Sequence, residues 1–156
     1  MLTPTQLDLV LTWLLNLEDR GLTGSVENLG DGAGQTRFGI TSYWGPETSP
    51  LITADFFTIP TPDAIPIAKQ YYKTAFWDKL KLDQYPMPLA ASVLSCAVNC
   101  GPGTALHLLS HGSHNLETFI AAWSFHYRQV AGNDPSRGKF LDGWLKRVSA
   151  VFPNLP

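Results

Sequence analysis

The sequence predicts an α+β fold that is mostly helical: a bundle around one buried helix, with a small β-hairpin region after the first helix. Apolar residues recur every three or four positions in several segments, which is typical of helices that pack on one face. Residues 89–100 are apolar on nearly every side, which indicates a buried central helix. Residues 21–40 are rich in glycine, which favours turns and short strands.

The first helix has well-marked ends. Thr3 can cap it, and Pro4 suits the first helical position, where a missing N–H has no cost. Gln6 completes a capping box with Thr3. Leucines and a valine then recur at spacings of three and four, and Glu18 falls at the C-terminal end. The helix therefore brings its last carboxylate up to the glycine-rich region.

Turn and capping residues predict the elements that follow. Residues 21–40 predict a small irregular β-hairpin or loops, and Thr41 can cap a short helical turn through Trp44. Gly101 ends the buried helix, and Asn115 caps a long one. We expect helices over about 61–79, 89–100, 102–110, 115–130 and 138–152. No repeat or linker divides the chain, so residues 1–156 are most simply one domain.

Composition excludes several classes of function. The formal net charge is −2, which gives no case for binding nucleic acid or an anionic membrane surface. No apolar stretch approaches the roughly 20 residues that span a bilayer, so no membrane insertion is expected. Cys96 and Cys100 are one helical turn apart, a spacing that strains a disulfide, so two buried thiols are expected. The four histidines lack acidic or thiol partners at ligand spacing, so we expect no metal site and no cofactor.

Two carboxylates and a glycine-rich turn carry the candidate chemistry. A glycosidase requires a proton donor on a rigid element and a nearby group that holds a water or stabilises the sugar cation. A carboxyl group donates a proton near neutral pH only where burial raises its pKa, and a helix end beneath a glycine-rich loop suits that need. Glu18 is therefore the candidate general acid, with an exposed acid beside Asp19 and Arg20 as the alternative interpretation.

The second catalytic group is less well determined. Asp31 can act as base or charge stabiliser, and Thr36 can hold a water, although Asp before Gly is also an ordinary turn pair. Glu27 is the competing carboxylate in the same hairpin. The separation of the two carboxyl groups decides between retention and inversion, and a sequence does not provide that distance.

The order of these segments resembles the lysozyme-like muramidases, and more closely glycoside hydrolase family 108, the phage and bacterial peptidoglycan hydrolases. The resemblance covers nearly the whole chain. Its blocks are Asp31-Gly32-Ala33-Gly34-Gln35-Thr36, Phe38-Gly39-Ile40-Thr41, Tyr71-Tyr72-Lys73 with Phe76-Trp77-Asp78, Val98-Asn99-Cys100-Gly101, and Phe140 to Val148. The chain departs from the family where Asp19-Arg20-Gly21 replaces two glycines and an aromatic, and where the interval from Glu18 to Asp31 is longer.

The resemblance implies a single lysozyme-like domain that hydrolyses the β-1,4 glycan of bacterial peptidoglycan. Glu18 would protonate the leaving oxygen, and Asp31 with Thr36 would place water or stabilise the cation. Arg37 and Tyr43 can line the substrate groove, although both also suit a surface position. Asn99 can hydrogen-bond an N-acetyl group of the glycan or cap its own helix.

Two other functions are compatible with this sequence. One is a virion or injection-machine component that keeps the fold for docking on phage tail or baseplate proteins or on the wall. The other is a chitinase or chitosanase. The N-terminus lacks the basic segment of a signal peptide, so we expect synthesis in the bacterial cytoplasm and action at the cell wall or periplasm. Delivery would then need lysis, a dedicated secretion route or a virion.

Overall fold

The computed structural model describes residues 2–28, 30, 32–111 and 114–153. It divides the chain into two compact units, the N-terminal unit Leu2–Lys79 and the C-terminal unit, which includes Leu80–Pro156. The described residues form seven α-helices and one small three-stranded sheet, so the predicted α+β, mostly helical class is confirmed. No helix among them is long and apolar enough to cross a bilayer. The expected single domain over 1–156 stays a prediction.

The N-terminal unit contains three helices and the sheet. Its elements are α1 (Pro4–Glu18), β1 (Glu27–Asn28), β2 (Gln35–Arg37), β3 (Ile40–Thr41), α2 (Trp44–Thr48) and α3 (Thr61–Tyr72). A 3₁₀ turn, Ala54–Phe57, precedes α3, and a π-helical turn, Lys73–Trp77, follows it. The helix expected to run to about residue 79 therefore leaves α geometry after Tyr72. The Lys73 carbonyl accepts the Asp78 N–H at 2.9 Å, which closes the wider turn.

Helix α1 forms as its sequence predicts. The Thr3 hydroxyl accepts the Gln6 N–H at 3.2 Å, and the Gln6 side chain accepts the Thr3 N–H at 3.0 Å. This reciprocal pair satisfies two of the donors that a helix start leaves open. One face of α1 is buried and packs against α3, and its members are Val10, Leu11, Leu14 and Leu15. The buried face fixes the helix, so its C-terminal residue Glu18 is carried by a rigid element.

The sheet is an antiparallel meander in the order β1-β2-β3. Thr36 lies opposite Glu27 on one side and opposite Thr41 on the other. Strands β2 and β3 are joined by Phe38 and Gly39, whose φ angles are +50° and +74°. Two successive left-handed residues are the signature of a type I′ hairpin turn. The β-hairpin predicted within 21–40 is thus confirmed, and Thr41 accepts the first N–H of α2, from Trp44, at 3.1 Å.

The C-terminal unit is helical in its described part. Its helices are α4 (Met87–Cys100), α5 (Pro102–His111), α6 (Leu116–Asn133) and α7 (Leu141–Ser149). Ten residues of α4 are buried, and α4 packs against α5 and α6, which confirms the predicted buried helix. Asn115 caps α6 as expected, by accepting the N–H groups of Glu117 and Thr118.

The last helix is shorter than expected. Residues 135–140 form a 3₁₀ turn instead of the first turn of α7. The Asp134 carboxylate accepts both the N–H and the hydroxyl of Ser136, and this local capping favours a separate short turn. Both cysteines are free thiols, as predicted, but only Cys96 is buried, whereas Cys100 is half-buried.

Candidate active site

Helix α1 ends at a cavity of about 180 Å³ inside the N-terminal unit. The end of the helix forms one side of the cavity, and the loop after it and the sheet form the rest. The lining residues are Glu18, Asp19, Arg20, Ser25, Glu27, Thr36, Phe38 and Gly39. Glu18 is half-buried there. The structure therefore places this carboxylate beside a groove within its own unit, as its position at the helix end predicted.

The Glu18 carboxylate lies directly against the type I′ turn. A Cβ added to Gly39 would stand 2.5 Å from Glu18 Oε2 and 3.0 Å from Glu18 Cδ, well inside van der Waals contact. Gly39 also has a φ of +74°, a backbone conformation that residues with a side chain rarely adopt. Glycine is thus required at this position for two separate reasons, the turn and the close approach of the carboxylate.

Tyr72 of α3 holds this turn in place. Its hydroxyl donates a hydrogen bond of 2.8 Å to the carbonyl of Phe38, and both side chains are fully buried. Phe38 has a φ of +50°, a conformation that costs a non-glycine residue roughly 1–2 kcal/mol. Such strain persists only where surrounding contacts impose it, and it is enriched at functional sites. Burial of Phe38 and the bond from Tyr72 supply those contacts.

Asp19 organises the loop on the other side of Glu18. Its carboxylate accepts the Thr23 hydroxyl at 2.8 Å and the Gly24 N–H at 2.6 Å. The sequence pattern assigns Asp19 no role of its own and marks it only as part of a departure from the family pattern. The available signal was an Asp at a helix end with a Thr and a Gly four and five residues later, the composition of a side-chain-capped loop.

Thr36 and Glu27 lie across from each other on β2 and β1, and both line the cavity. Asp31 lies outside the residues that the structure describes. Glu27, one of the two carboxylates considered for the second catalytic role, lines the same cavity as Glu18. Glu18, Thr36 and Glu27 thus form a constellation of a carboxyl group on a helix end facing a hydroxyl and a carboxylate on a sheet.

The family model of glycosyl hydrolase 108 matches residues 13–101, more than half of the chain. The chain belongs to this family. The match contains the whole cavity and the turn that presents Gly39, and it makes the protein a glycoside hydrolase with a glycan substrate. No curated protein and no solved structure matches the chain. The family 108 match ends at Gly101, so the likeness expected for residues 140–148 stays a prediction.

Arg37 of this family 108 hydrolase lies inside the N-terminal unit and not on the cavity wall. Arg37 is 3% exposed, and its guanidinium donates to the carbonyls of Phe56 and Ile59 at 2.7 and 2.8 Å and to the Thr61 hydroxyl at 3.2 Å. Burial lowers the pKa of Arg37, and the negative charge of Asp19 opposes that shift. The contacts therefore make it a cross-link between β2 and the segment before α3.

Tyr43 and Asn99, the other expected binding residues, are not among the residues that line this cavity. Tyr43 is 55% exposed and packs edge-to-face on Trp44, which is 57% exposed, with ring centroids 4.7 Å apart. Asn99 belongs to the C-terminal unit, where its side-chain oxygen accepts the Tyr127 hydroxyl near the end of α4. Within the described ranges, no three histidine, cysteine or acidic side chains come together as a metal site.

Proposed function

We propose that this glycoside hydrolase is an N-acetylmuramidase that cleaves β-1,4 bonds in the glycan strands of bacterial peptidoglycan, with Glu18 as general acid. The observation that carries the proposal is the position of Glu18: a half-buried carboxyl on a helix end, in a cavity, against the Phe38–Gly39 turn. A glycosidic oxygen is a poor leaving group and requires a proton as the bond breaks. A rigidly carried carboxyl group at the edge of a cavity can deliver that proton to a bound sugar.

The facing wall supplies the second half of the reaction. Thr36 would hold the attacking water through its hydroxyl, and Glu27 would accept the proton of that water or stabilise the positive charge on the sugar. Asp31 competes with Glu27 for this role. Glu27→Gln and Asp31→Asn separate the two, because only the variant that lacks the working carboxylate loses wall hydrolysis while it keeps its fold.

Exposed aromatic rings are a further feature that suits a glycan. Tyr43 and Trp44 present more than half of their surface to solvent, two and three residues after the end of β3. Sugar rings stack on such faces through their C–H bonds, so we propose that this pair contacts a sugar ring of a bound strand. Trp44→Ala should then raise KM for wall fragments and leave kcat nearly unchanged.

The direct test is Glu18→Gln on purified cell walls. Release of reducing ends should be abolished, and mass spectrometry of the wild-type products should show new muramic acid reducing ends. Glu47→Gln is the matched control, because Glu47 is an exposed glutamate on α2 outside the cavity, and this variant should keep full activity. Circular dichroism and thermal unfolding establish that both variants fold.

Each other outcome points to a different function. Activity that survives in Glu18→Gln refutes the assignment of the acid. A wild-type protein that cleaves chitin oligomers and not walls is a chitinase-type enzyme. A folded wild-type protein that binds walls of several chemotypes and releases nothing from any of them uses its fold for docking.

A further inference from the structure

The C-terminal unit contains a cavity of about 280 Å³ that the proposed glycan chemistry does not use. It is lined by residues from the end of α4, from α6, from the 3₁₀ turn at residues 135–140 and from α7. Cys100, His126, Tyr127, Arg137 and Trp144 are among the lining residues. The Tyr127 and Trp144 rings are stacked 4.9 Å apart, which gives one wall a rigid aromatic face. The cavity thus has a thiol, a cation and an aromatic wall within one unit.

Cys100 lines the cavity, and its thiol forms a hydrogen bond with a polar group. Its sulfur lies 3.2 Å from the Tyr127 hydroxyl oxygen, to which the S–H donates, and that hydroxyl donates in turn to Asn99. Cys96, one turn earlier on α4, is fully buried. A reagent that enters the cavity therefore meets the sulfur of Cys100 and not that of Cys96.

A buried donor beside Cys100 has no ordinary partner. The indole nitrogen of Trp123 makes no hydrogen bond to the described residues, and the side chain is 1% exposed. An unpaired buried N–H is costly, and a thiolate would satisfy it. The pKa of Cys100 is lowered, first by a hydrogen bond from Cys96 and also by the charge of His126, while burial opposes the shift. The pKa of Cys96 is raised, since it serves as the donor.

Basic side chains lie near the two thiols. His126 on α6 and Arg137 on the 3₁₀ turn line the cavity, and Arg147 on α7 acts on the Cys96 thiol. Arg137 pairs with Asp134 at 3.0 Å. Such a wall stabilises a thiolate and attracts anions.

We propose that Cys100 is a covalent modification site that forms mixed disulfides with small, carboxylate-bearing disulfides. The thiolate attacks one sulfur of the disulfide, a new S–S bond forms, and the other sulfur leaves as a thiolate that takes a proton from water. The disulfide is the oxidant, so no further reactant is needed. The carboxylate would lie toward Arg137, and Cys96 remains a thiol.

Two disulfides of matched size and opposite charge test this proposal on the full chain. Dithiodipropionate carries carboxylates, and cystamine carries amines. Intact mass and peptide mapping should place one adduct on Cys100 and none on Cys96. At about pH 7 the anionic reagent should react about two- to threefold faster than with a free cysteine thiol, since the larger thiolate fraction outweighs the lower nucleophilicity of each thiolate. Cystamine should be clearly slower, and added salt should reduce the difference.

The pH profile gives an independent readout. A lowered pKa means that the thiolate is present at lower pH, so the alkylation rate of Cys100 should level off at a lower pH than that of free cysteine. Trp123→Phe should move this midpoint upward, and Cys96→Ser should leave a single reactive thiol. If Cys100 reacts only in denaturant, if Cys96 is modified equally fast, or if cystamine reacts as fast as dithiodipropionate, the proposal is wrong. The wild-type profile alone decides the matter if Trp123→Phe does not fold.

Discussion

The contact between Gly39 and Glu18 allows a sharp separation of stability from catalysis. In Gly39→Ala, the new Cβ would lie 2.5 Å from Glu18 Oε2, so the carboxylate oxygen must retreat by about 0.9 Å to reach the 3.4 Å of ordinary contact. A side-chain end can rotate away at small energetic cost. A displacement of about 1 Å of a catalytic group can reduce the rate on the order of 10²-fold. We expect a loss of that size in kcat for wall hydrolysis.

Gly32→Ala is the matched control. Gly32 has a φ of +84°, close to the +74° of Gly39, and no described atom lies within 4 Å of a Cβ placed there. Both variants place alanine in a left-handed conformation, which costs about 1–2 kcal/mol. Gly39→Ala should lose more free energy of unfolding than Gly32→Ala, because its Cβ would also stand 2.9 Å from the buried Tyr72 hydroxyl. Chemical denaturation measures that loss, and release of reducing ends from walls measures kcat. Equal activities in the two folded variants would refute the reasoning that Gly39 sets the position of the acid.

Three further substitutions test the supports of the site. Tyr72→Phe removes the hydrogen bond to the Phe38 carbonyl, so unfolding free energy should fall by about 1 kcal/mol and wall hydrolysis should fall with it. Asp19→Ala leaves the Gly24 N–H without its carboxylate and should cost about 2 kcal/mol in urea unfolding. Arg37→Met removes the donors to two carbonyls and should cost about 3 kcal/mol, with KM unchanged in the folded fraction; a raised KM would assign Arg37 to substrate binding.

Local signals predicted most of the helices. Three of these signals each act within a few residues and can therefore be recognised in the sequence: the capping box at Thr3, the Asn115 cap and the apolar run of α4. The residue at which α3 ends could not be predicted, because the π-helical turn at 73–77 does not interrupt the helical pattern of the sequence. The start of α7 was also misplaced, since a local cap at Asp134 competes with the helix.

The candidate site also contains features that the sequence predicts and features that it does not. Glu18 was predicted at the end of α1, because a single helix determines that position. The environment of Arg37 was not predictable, since the hydrogen-bond partners of its guanidinium lie 19 to 24 positions later in the chain. Tyr72 was matched to a family segment. Its hydrogen bond to the Phe38 carbonyl, however, joins residues 34 positions apart, and no local sequence pattern predicts it.

The sequence by itself determined the helix that carries Glu18 and the glycine-rich hairpin after it, because caps, periodicity and turn residues act over short distances. The match of the sequence to the family model determined the family to which the chain belongs. Only the tertiary structure decided that a left-handed Phe38–Gly39 turn, held by Tyr72, meets that carboxylate, and that Glu27 shares its cavity. Those contacts join residues far apart in the chain, and their energy comes from burial and from hydrogen bonds that exist only once the unit has folded.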